Sequence, residues 1–192
     1  MSEAPILSSY TPDAIGPGRL ILVVGPSGAG KDTLLGFAKA SCAEDGDIVF
    51  PRRVVTREAS SSEDNVALAP DEFRQALVRG DFAMHWEAHG HSYGLPRAID
   101  DDIRAGRSVV VNVSRTVIEA ARRTYANVVV IAITAPPEVL AERIRMRARS
   151  SDGRFEQRLS RTVDTAAPDV TVLNVGRPED HARRLVRAIK GE

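Results

Sequence analysis

Apolar and polar positions along the chain fall into two alternating patterns. Short, near-continuous apolar runs, Leu20-Ile21-Leu22-Val23-Val24, Ser108-Val109-Val110-Val111-Asn112-Val113 and Val128 to Ile133, are what strands buried on both faces require. Val170-Thr171-Val172-Leu173 predicts a further strand, and Ile48-Val49-Phe50 and Arg53-Val54-Val55 predict two short ones. Between these runs lie segments of helical character: Leu34 to Ala43, Pro70 to Arg79, Pro96 to Ala105, Thr116 to Tyr125, Pro136 to about Arg149, Arg154 to Asp164 and Pro178 to Lys190. Pro70-Asp71-Glu72 shows how such a start is written: proline in the first turn, acids at the positive end of the helix dipole, and Gly80 as the stop. Phe82 to Tyr93 holds the clustered histidines and the only tryptophan, and Ala59 to Asn65, rich in serine and acids, reads as a mobile surface loop.

Strands alternating with helices predict an α/β fold with a parallel sheet covered on both faces. There is no internal repeat and no interdomain linker. Residues 19–192 therefore read as one domain, with insertions at about 56–96 and 148–157. Residues 1–18, with three prolines and two glycines, read as a mostly disordered leader.

Composition narrows the functional classes. Hydrophobic residues make up 43% of 192, enough for a core, and 26 basic residues balance 26 acidic ones. That balance points to neither nucleic acid nor a membrane surface. No run has the length of a transmembrane helix, and the first 18 residues lack the basic start and apolar core of a signal peptide. The single Cys42 excludes an internal disulfide and suits a reducing compartment, so a cytoplasmic protein is expected. The oligomeric state is left open, a homodimer among the options.

The chemistry is concentrated in Gly25-Pro26-Ser27-Gly28-Ala29-Gly30-Lys31-Asp32-Thr33, set between an apolar strand and a helix. This is nearly the phosphate-cradling loop G-x-x-x-x-G-K-[ST] in its strand–loop–helix context. Its glycines let backbone N–H groups turn around an anion at the positive end of a helix dipole, and Lys31 adds a point charge for the β- and γ-phosphates of a triphosphate. One position departs from the pattern. Asp32 stands where a hydroxyl ordinarily ligates Mg²⁺, with Thr33 one residue later. Asp32 and Thr33 are the candidate cation ligands; the alternative is that Asp32 only charges the start of the helix.

A phosphate loop alone does not separate kinases, GTPases and motor ATPases. No guanine-reading N-K-x-D follows, and the apolar strand that should end in an acid ends in Asn112 and Ser114. Arg143, Arg145, Arg147 and Arg149, then Arg154, Arg158 and Arg161, flank one polar break, with Arg143 and Arg147 on one helical face. Such charge either coats a solvated face or closes as a lid on phosphoryl groups in transfer; opposite a phosphate loop the lid is favoured, with Arg143, Arg147 and Arg158 as its catalytic cations.

Further residues carry a resemblance. The phosphate loop, Thr56-Arg57, Phe73, Gly80-Asp81-Phe82, Glu87, Gly90, Tyr93-Gly94, Pro96, Ala105-Gly106-Arg107 and Arg158-Leu159 fall in the order and spacing of guanylate kinases, over about residues 19–175. The resemblance implies a P-loop NTPase three-layer sandwich with an acceptor-binding insertion and an arginine-rich lid. The departures are informative. Positions that read guanine in that family are Met84, Leu95 and Ser114 here, and two that help hold the GMP phosphate are Asn65 and Ser60. Two apolar side chains cannot pair with a guanine edge, and lost polar pairing destroys specificity by orders of magnitude.

Arg57 and Tyr93 survive, so the acceptor should carry a phosphate but no base. The Lys31-Asp32-Thr33 variant, Asn112-Val113-Ser114-Arg115 and Thr56-Arg57-Glu58-Ala59-Ser60 together resemble the ribose 1,5-bisphosphate phosphokinases. That resemblance implies ATP-dependent conversion of a phosphorylated sugar, ribose 1,5-bisphosphate, to 5-phosphoribosyl 1-diphosphate, in connection with phosphonate breakdown. It implies that Arg57 and Tyr93, with Arg53, hold acceptor phosphates, and that Glu87 orients an arginine or a ribose hydroxyl. The alternatives are a nucleotide kinase of unusual base preference and a catalytically dead binding module. The retained Gly25, Gly28, Gly30 and Lys31 speak against the second. His85, His89 and His91 have no acidic or Cys partner at ligand spacing, so they read as surface or pocket-lining residues rather than a zinc site.

Overall fold

The computed structural model describes residues 13–57, 64–148 and 167–192. Five strands, β1 (Arg19–Val24), β2 (Ile48–Val49), β7 (Ser108–Asn112), β8 (Val128–Thr134) and β9 (Val170–Leu173), form one parallel sheet in the order β2-β7-β1-β8-β9. β1 sits at the centre, and its alternation decides the layers. Leu20, Leu22 and Val24 enter one core with Ile99 and Ile103 of α3 (Ala98–Arg104) and Ile118 and Ala121 of α4 (Ile118–Thr124). Ile21 and Val23 enter the other, with Leu34 and Ala38 of α1 (Lys31–Ser41) and Ala182, Leu185 and Ile189 of α6 (Pro178–Lys190). This is the expected three-layer arrangement, in which every central side chain is buried on one face or the other.

A second sheet, ordered β4-β3-β6-β5, consists of β3 (Arg53–Val55), β4 (Asn65–Ala67), β5 (Phe82–Ala88) and β6 (His91–Pro96). β3 runs parallel to β4 and antiparallel to β6. One face of this sheet, carrying Val55, Met84, Trp86, Tyr93 and Leu95, packs into the first core. The other, with Val54 and Phe82, is covered by Phe73 and Ala76 of α2 (Pro70–Arg79), where the Phe73 and Phe82 rings stack at 4.7 Å. The sheet thus begins at Arg53, before the expected insertion. The histidine-rich stretch is the β5–β6 hairpin, whose turn at His89-Gly90 takes φ 54° and 76°.

Several boundaries differ from expectation, for local reasons. α1 starts at Lys31 rather than Leu34, because the left-handed Gly30 (φ 82°) ends the loop and the helix follows at once. α3 starts at Ala98, since Leu95 and Pro96 are still paired with β5. The Thr116 to Tyr125 segment opens as a 3₁₀ turn over Arg115–Val117 before α4. Asn65, expected in a loop, pairs with Arg53 as the first residue of β4. Order also begins before residue 19: Ile15 donates to the Thr124 carbonyl and accepts from Ala126 N–H, each at 2.9 Å. Residues 1–12, most of the Ala59 to Asn65 loop and the Arg154 to Asp164 helix lie outside the described residues.

Below the β1 core, the Tyr125 hydroxyl donates to the Asp100 carboxylate at 2.7 Å, both side chains being buried. Burial, reinforced by this contact with Asp100, pushes the phenol well above its ordinary range. Among the described residues, Tyr125→Phe leaves that carboxylate with Arg97, at 3.8 Å, as its side-chain partner. The substitution is expected to lower unfolding free energy by about 1–3 kcal/mol in urea titrations, with kinase turnover retained.

Candidate active site

The carboxyl ends of the parallel strands converge on one edge, and strand order reverses at β1, which is where open α/β sheets bind ligands. There the loop Gly25–Gly30 leaves β1. A side chain is excluded at two of its positions: a Cβ on Gly25 would overlap the Ile133 carbonyl oxygen, and one on Gly30 would overlap Asn174 Nδ2. Both residues also have positive φ. The turn is therefore made of backbone alone, close-packed against the sheet. Gly30 gives α1 no side-chain cap, so the first-turn N–H groups, which lack intrahelical acceptors, remain for an anion. Lys31 Nζ curls over the loop and donates to the carbonyls of Gly25 at 2.8 Å and Pro26 at 3.0 Å. Phosphate oxygens would take over that ammonium from neutral acceptors.

The loop is braced from above by α5 (Pro137–Ala148). Arg143 donates to the Gly28 carbonyl at 3.4 Å and to the Asn174 carbonyl at 3.2 Å. It is the one candidate lid arginine whose side chain is seen against the phosphate loop. Arg147 lies in α5, but its side chain, like all of Arg158, falls outside the described part. Asn174 was missed by sequence reasoning. It follows β9, is 2% exposed, donates Nδ2 to the Ala29 carbonyl at 2.8 Å and anchors its own N–H to Thr134 at 2.8 Å. Only its position after a buried strand hinted at this, because pairing with Ala29 is contact over 145 residues.

Asp32 is half-buried in the first turn of α1, and its Oδ1 accepts from Asn112 Nδ2 at 2.8 Å. Thr33 is exposed. The donor set suits a hard cation: one carboxylate beside a phosphate cradle, where Mg²⁺ is ordinarily held by one or two carboxylates, phosphate oxygens and water. No cluster of three metal-ligating side chains exists among the described residues, and none involves the histidines: His85 and His89 are exposed and His91 half-buried along the hairpin.

Opposite the loop stands the second sheet. Arg53 donates to the Asn112 carbonyl at 3.0 Å and to Asn65 Oδ1 at 3.2 Å, and its guanidinium lies 5.9 Å from the Tyr93 ring centroid. Tyr93 stacks on Trp86 at 5.4 Å. Thr56, the neighbour of Arg57, exchanges two hydrogen bonds with Ser92, at 2.9 and 3.1 Å. The pairing of β3 with β6 brings Arg53 to Tyr93. Glu87 is not gathered with them: it is exposed and, by strand alternation, faces away from the Trp86–Tyr93 side.

The three positions compared with guanine readers are all committed elsewhere. Met84 (7% exposed) and Leu95 (0%) are core residues. The Ser114 hydroxyl caps the 3₁₀ turn, accepting from the N–H and hydroxyl of Thr116.

A parallel sheet with a lysine-bearing phosphate loop at its switch point, an arginine helix above it and a second sheet opposite defines a P-loop phosphotransferase. A guanylate kinase from Anaplasma phagocytophilum has the same fold, with a TM-score of 0.64 at 24% identity over 91% of this chain and 85% of that one. In sequence the chain is 64% identical, over 194 residues, to the ribose 1,5-bisphosphate phosphokinase PhnN of Bradyrhizobium diazoefficiens, spanning 100% of this chain and 98% of that protein. To its namesake in Rhodopseudomonas palustris it is 62% identical over 184 residues, spanning 96% and 94%. No protein-family model matches the chain. It belongs to the ribose 1,5-bisphosphate phosphokinase family and is a kinase with a nucleotide co-substrate.

Asn174→Ala removes the amide that holds Ala29 and leaves that buried carbonyl unmatched. The KM for ATP is expected to rise roughly 5- to 100-fold, the equivalent of about 1–3 kcal/mol, with a smaller change in the KM of the acceptor. Initial-rate kinetics with each substrate varied in turn measure both.

Proposed function

We propose that the chain transfers the γ-phosphoryl group of ATP to the 1-phosphate of ribose 1,5-bisphosphate, giving 5-phosphoribosyl 1-diphosphate and ADP, within phosphonate breakdown in the cytoplasm. What supports the reading is the second sheet, where Arg53 overlies the Tyr93 ring while Met84 and Leu95, at two of the positions compared with guanine readers, are apolar and buried. Its relatives carry that activity in their names. No helix among the described residues is long and apolar enough to cross a membrane.

In this reaction an oxygen of the 1-phosphate, already ionised near neutral pH, forms the new bond to the γ-phosphorus. The bond from that phosphorus to the bridging oxygen breaks, and ADP leaves with the electron pair. No proton needs removing from the nucleophile, so the protein's part is alignment and charge neutralisation. The backbone N–H groups from Gly28 to Thr33 and the Lys31 ammonium hold the ATP phosphates. Arg57, Arg53 and Tyr93 hold the acceptor phosphates. Arg143, already against the loop, acts with Arg147 and Arg158 on the transferring group. Mg²⁺, when bound, supplies charge neutralisation between the phosphates, and Asp32 is the side chain that would hold it, with Thr33 as the neighbouring hydroxyl.

Ribose 1,5-bisphosphate is expected to be turned over with a kcat/KM at least about 100-fold above that for GMP in a coupled ADP-release assay, since a site that cannot pair with a base edge loses specificity on that scale. Comparable rates with GMP would reject the reading. Arg53→Ala is expected to raise the acceptor KM roughly 10- to 100-fold, as loss of a charge-assisted hydrogen bond of about 1.5–3 kcal/mol should, while the KM for ATP stays within a factor of about two. Arg147→Ala and Arg158→Ala are expected to lower kcat; unaltered kcat in both removes the lid from the mechanism.

A further inference from the structure

The phosphate-loop pattern calls for a hydroxyl directly after the lysine, and P-loop enzymes ordinarily pair it with an aspartate from a neighbouring strand. In this chain the loop position is Asp32 and the strand β7 ends in Asn112. The structure brings these two residues into contact. Val23 lies in register with Asn112 across the β1–β7 pair, so the end of β7 reaches the first turn of α1, where Asn112 Nδ2 meets Asp32 Oδ1 at 2.8 Å. A carboxylate accepts only, so the amide nitrogen must be the atom that faces it. The acid and its polar partner have exchanged places.

Asn112 has a second role through its backbone. Its carbonyl accepts from Arg53 at 3.0 Å, and Arg53 is the residue that also binds Asn65 and overlies Tyr93. One residue therefore touches the start of the phosphate-binding helix with its side chain and the acceptor sheet with its main chain. The side-chain arm fixes the Asp32 carboxylate by one oxygen and leaves the other for a cation. An aspartate at 112 could not do this, because two carboxylates within hydrogen-bond distance repel each other.

We propose that Asn112 is a positioning residue that orients the Asp32 carboxylate for the ATP-bound divalent cation and, independently through its carbonyl, sets Arg53 against the acceptor. The proposal rests on the reading of Asp32 as the cation ligand. The two arms are separable, because Asn112→Ala deletes the amide and keeps the carbonyl.

The test is a double-mutant cycle on Mn²⁺ affinity, read by electron paramagnetic resonance in the presence of a non-hydrolysable ATP analogue. The variants are Asn112→Ala, Asp32→Ala and the pair, with Asn112→Ser as the milder substitution should Asn112→Ala fold poorly by circular dichroism. Loss of a side chain that orients a metal ligand typically costs 10- to 100-fold in affinity, so Asn112→Ala should weaken Mn²⁺ binding about 10-fold. In the Asp32→Ala background the same substitution should change it less than about twofold, since the group it acts on is gone. The KM for ribose 1,5-bisphosphate should stay within about twofold in Asn112→Ala, because the carbonyl that holds Arg53 remains. An equal loss in both backgrounds, or a loss below about twofold in the first, overturns the proposal. If Asp32→Ala itself leaves Mn²⁺ affinity unchanged, the cation reading of Asp32 falls and takes the proposal with it, whereas harm from Asp32→Ala beside a neutral Asn112→Ala sinks only the positioning role.

Discussion

Everything at the carboxyl edge of the sheet depends on how closely the backbone of the phosphate loop approaches its neighbours. Gly25 lies against the carbonyl of Ile133 and Gly30 against the amide of Asn174, so no side chain fits between the loop and the strand ends. Close packing of this kind makes the loop a rigid shell of backbone dipoles. It is also why residues from three strands and two helices meet there: β1 delivers the loop, α1 the lysine and Asp32, β7 Asn112, β9 Asn174 and α5 Arg143. A rigid anion cradle suits a reaction in which the protein contributes position and charge rather than a general base.

The acceptor side shows the reverse economy, in which a related fold is narrowed by filling it. Met84, Leu95 and Trp86 pack with Val113, Val117 and Ile118 in the core beneath the second sheet, so what could be a polar pocket floor is apolar and buried. Arg53 lies at the edge of that core, over the ring of Tyr93, which stacks on Trp86. A phosphorylated sugar needs only such charge and small polar contacts. A purine would need partners for its ring edge, and those positions are spent on packing and on capping the turn at Ser114.

The two halves of the site share the first core, and polar contacts join them at its edge. β7 is the shared member: it pairs with β1 in the main sheet, and its last carbonyl meets Arg53 of the second sheet. Lys39 and Arg52 add a further tie through the Asp64 carboxylate, at 2.8 and 2.6 Å, but those groups are more than half exposed and so contribute modestly. The shared core and the contact at the strand end therefore matter more than exposed charge for keeping the two sheets aligned.

Much of this was legible in the residues. The apolar runs named every strand of the parallel sheet, because strands buried on both faces cannot hide their composition. The phosphate loop was legible too, since glycine, lysine and helix start must stand in fixed local order. The hairpin around Trp86, the short strand at Asn65 and the true start of α3 were not, because pairing partners, not local propensity, decide them. The site divides in the same way. Lys31, Asp32 and the glycines follow from adjacency in sequence. The engagement of Asn174 with Ala29, of Asn112 with Asp32 and of Arg53 with Tyr93, and the turning away of Glu87, exist only once strands far apart in the chain lie side by side. Local order suffices for a turn that binds phosphate; the company it keeps is a matter of register and packing, which no single stretch of chain encodes.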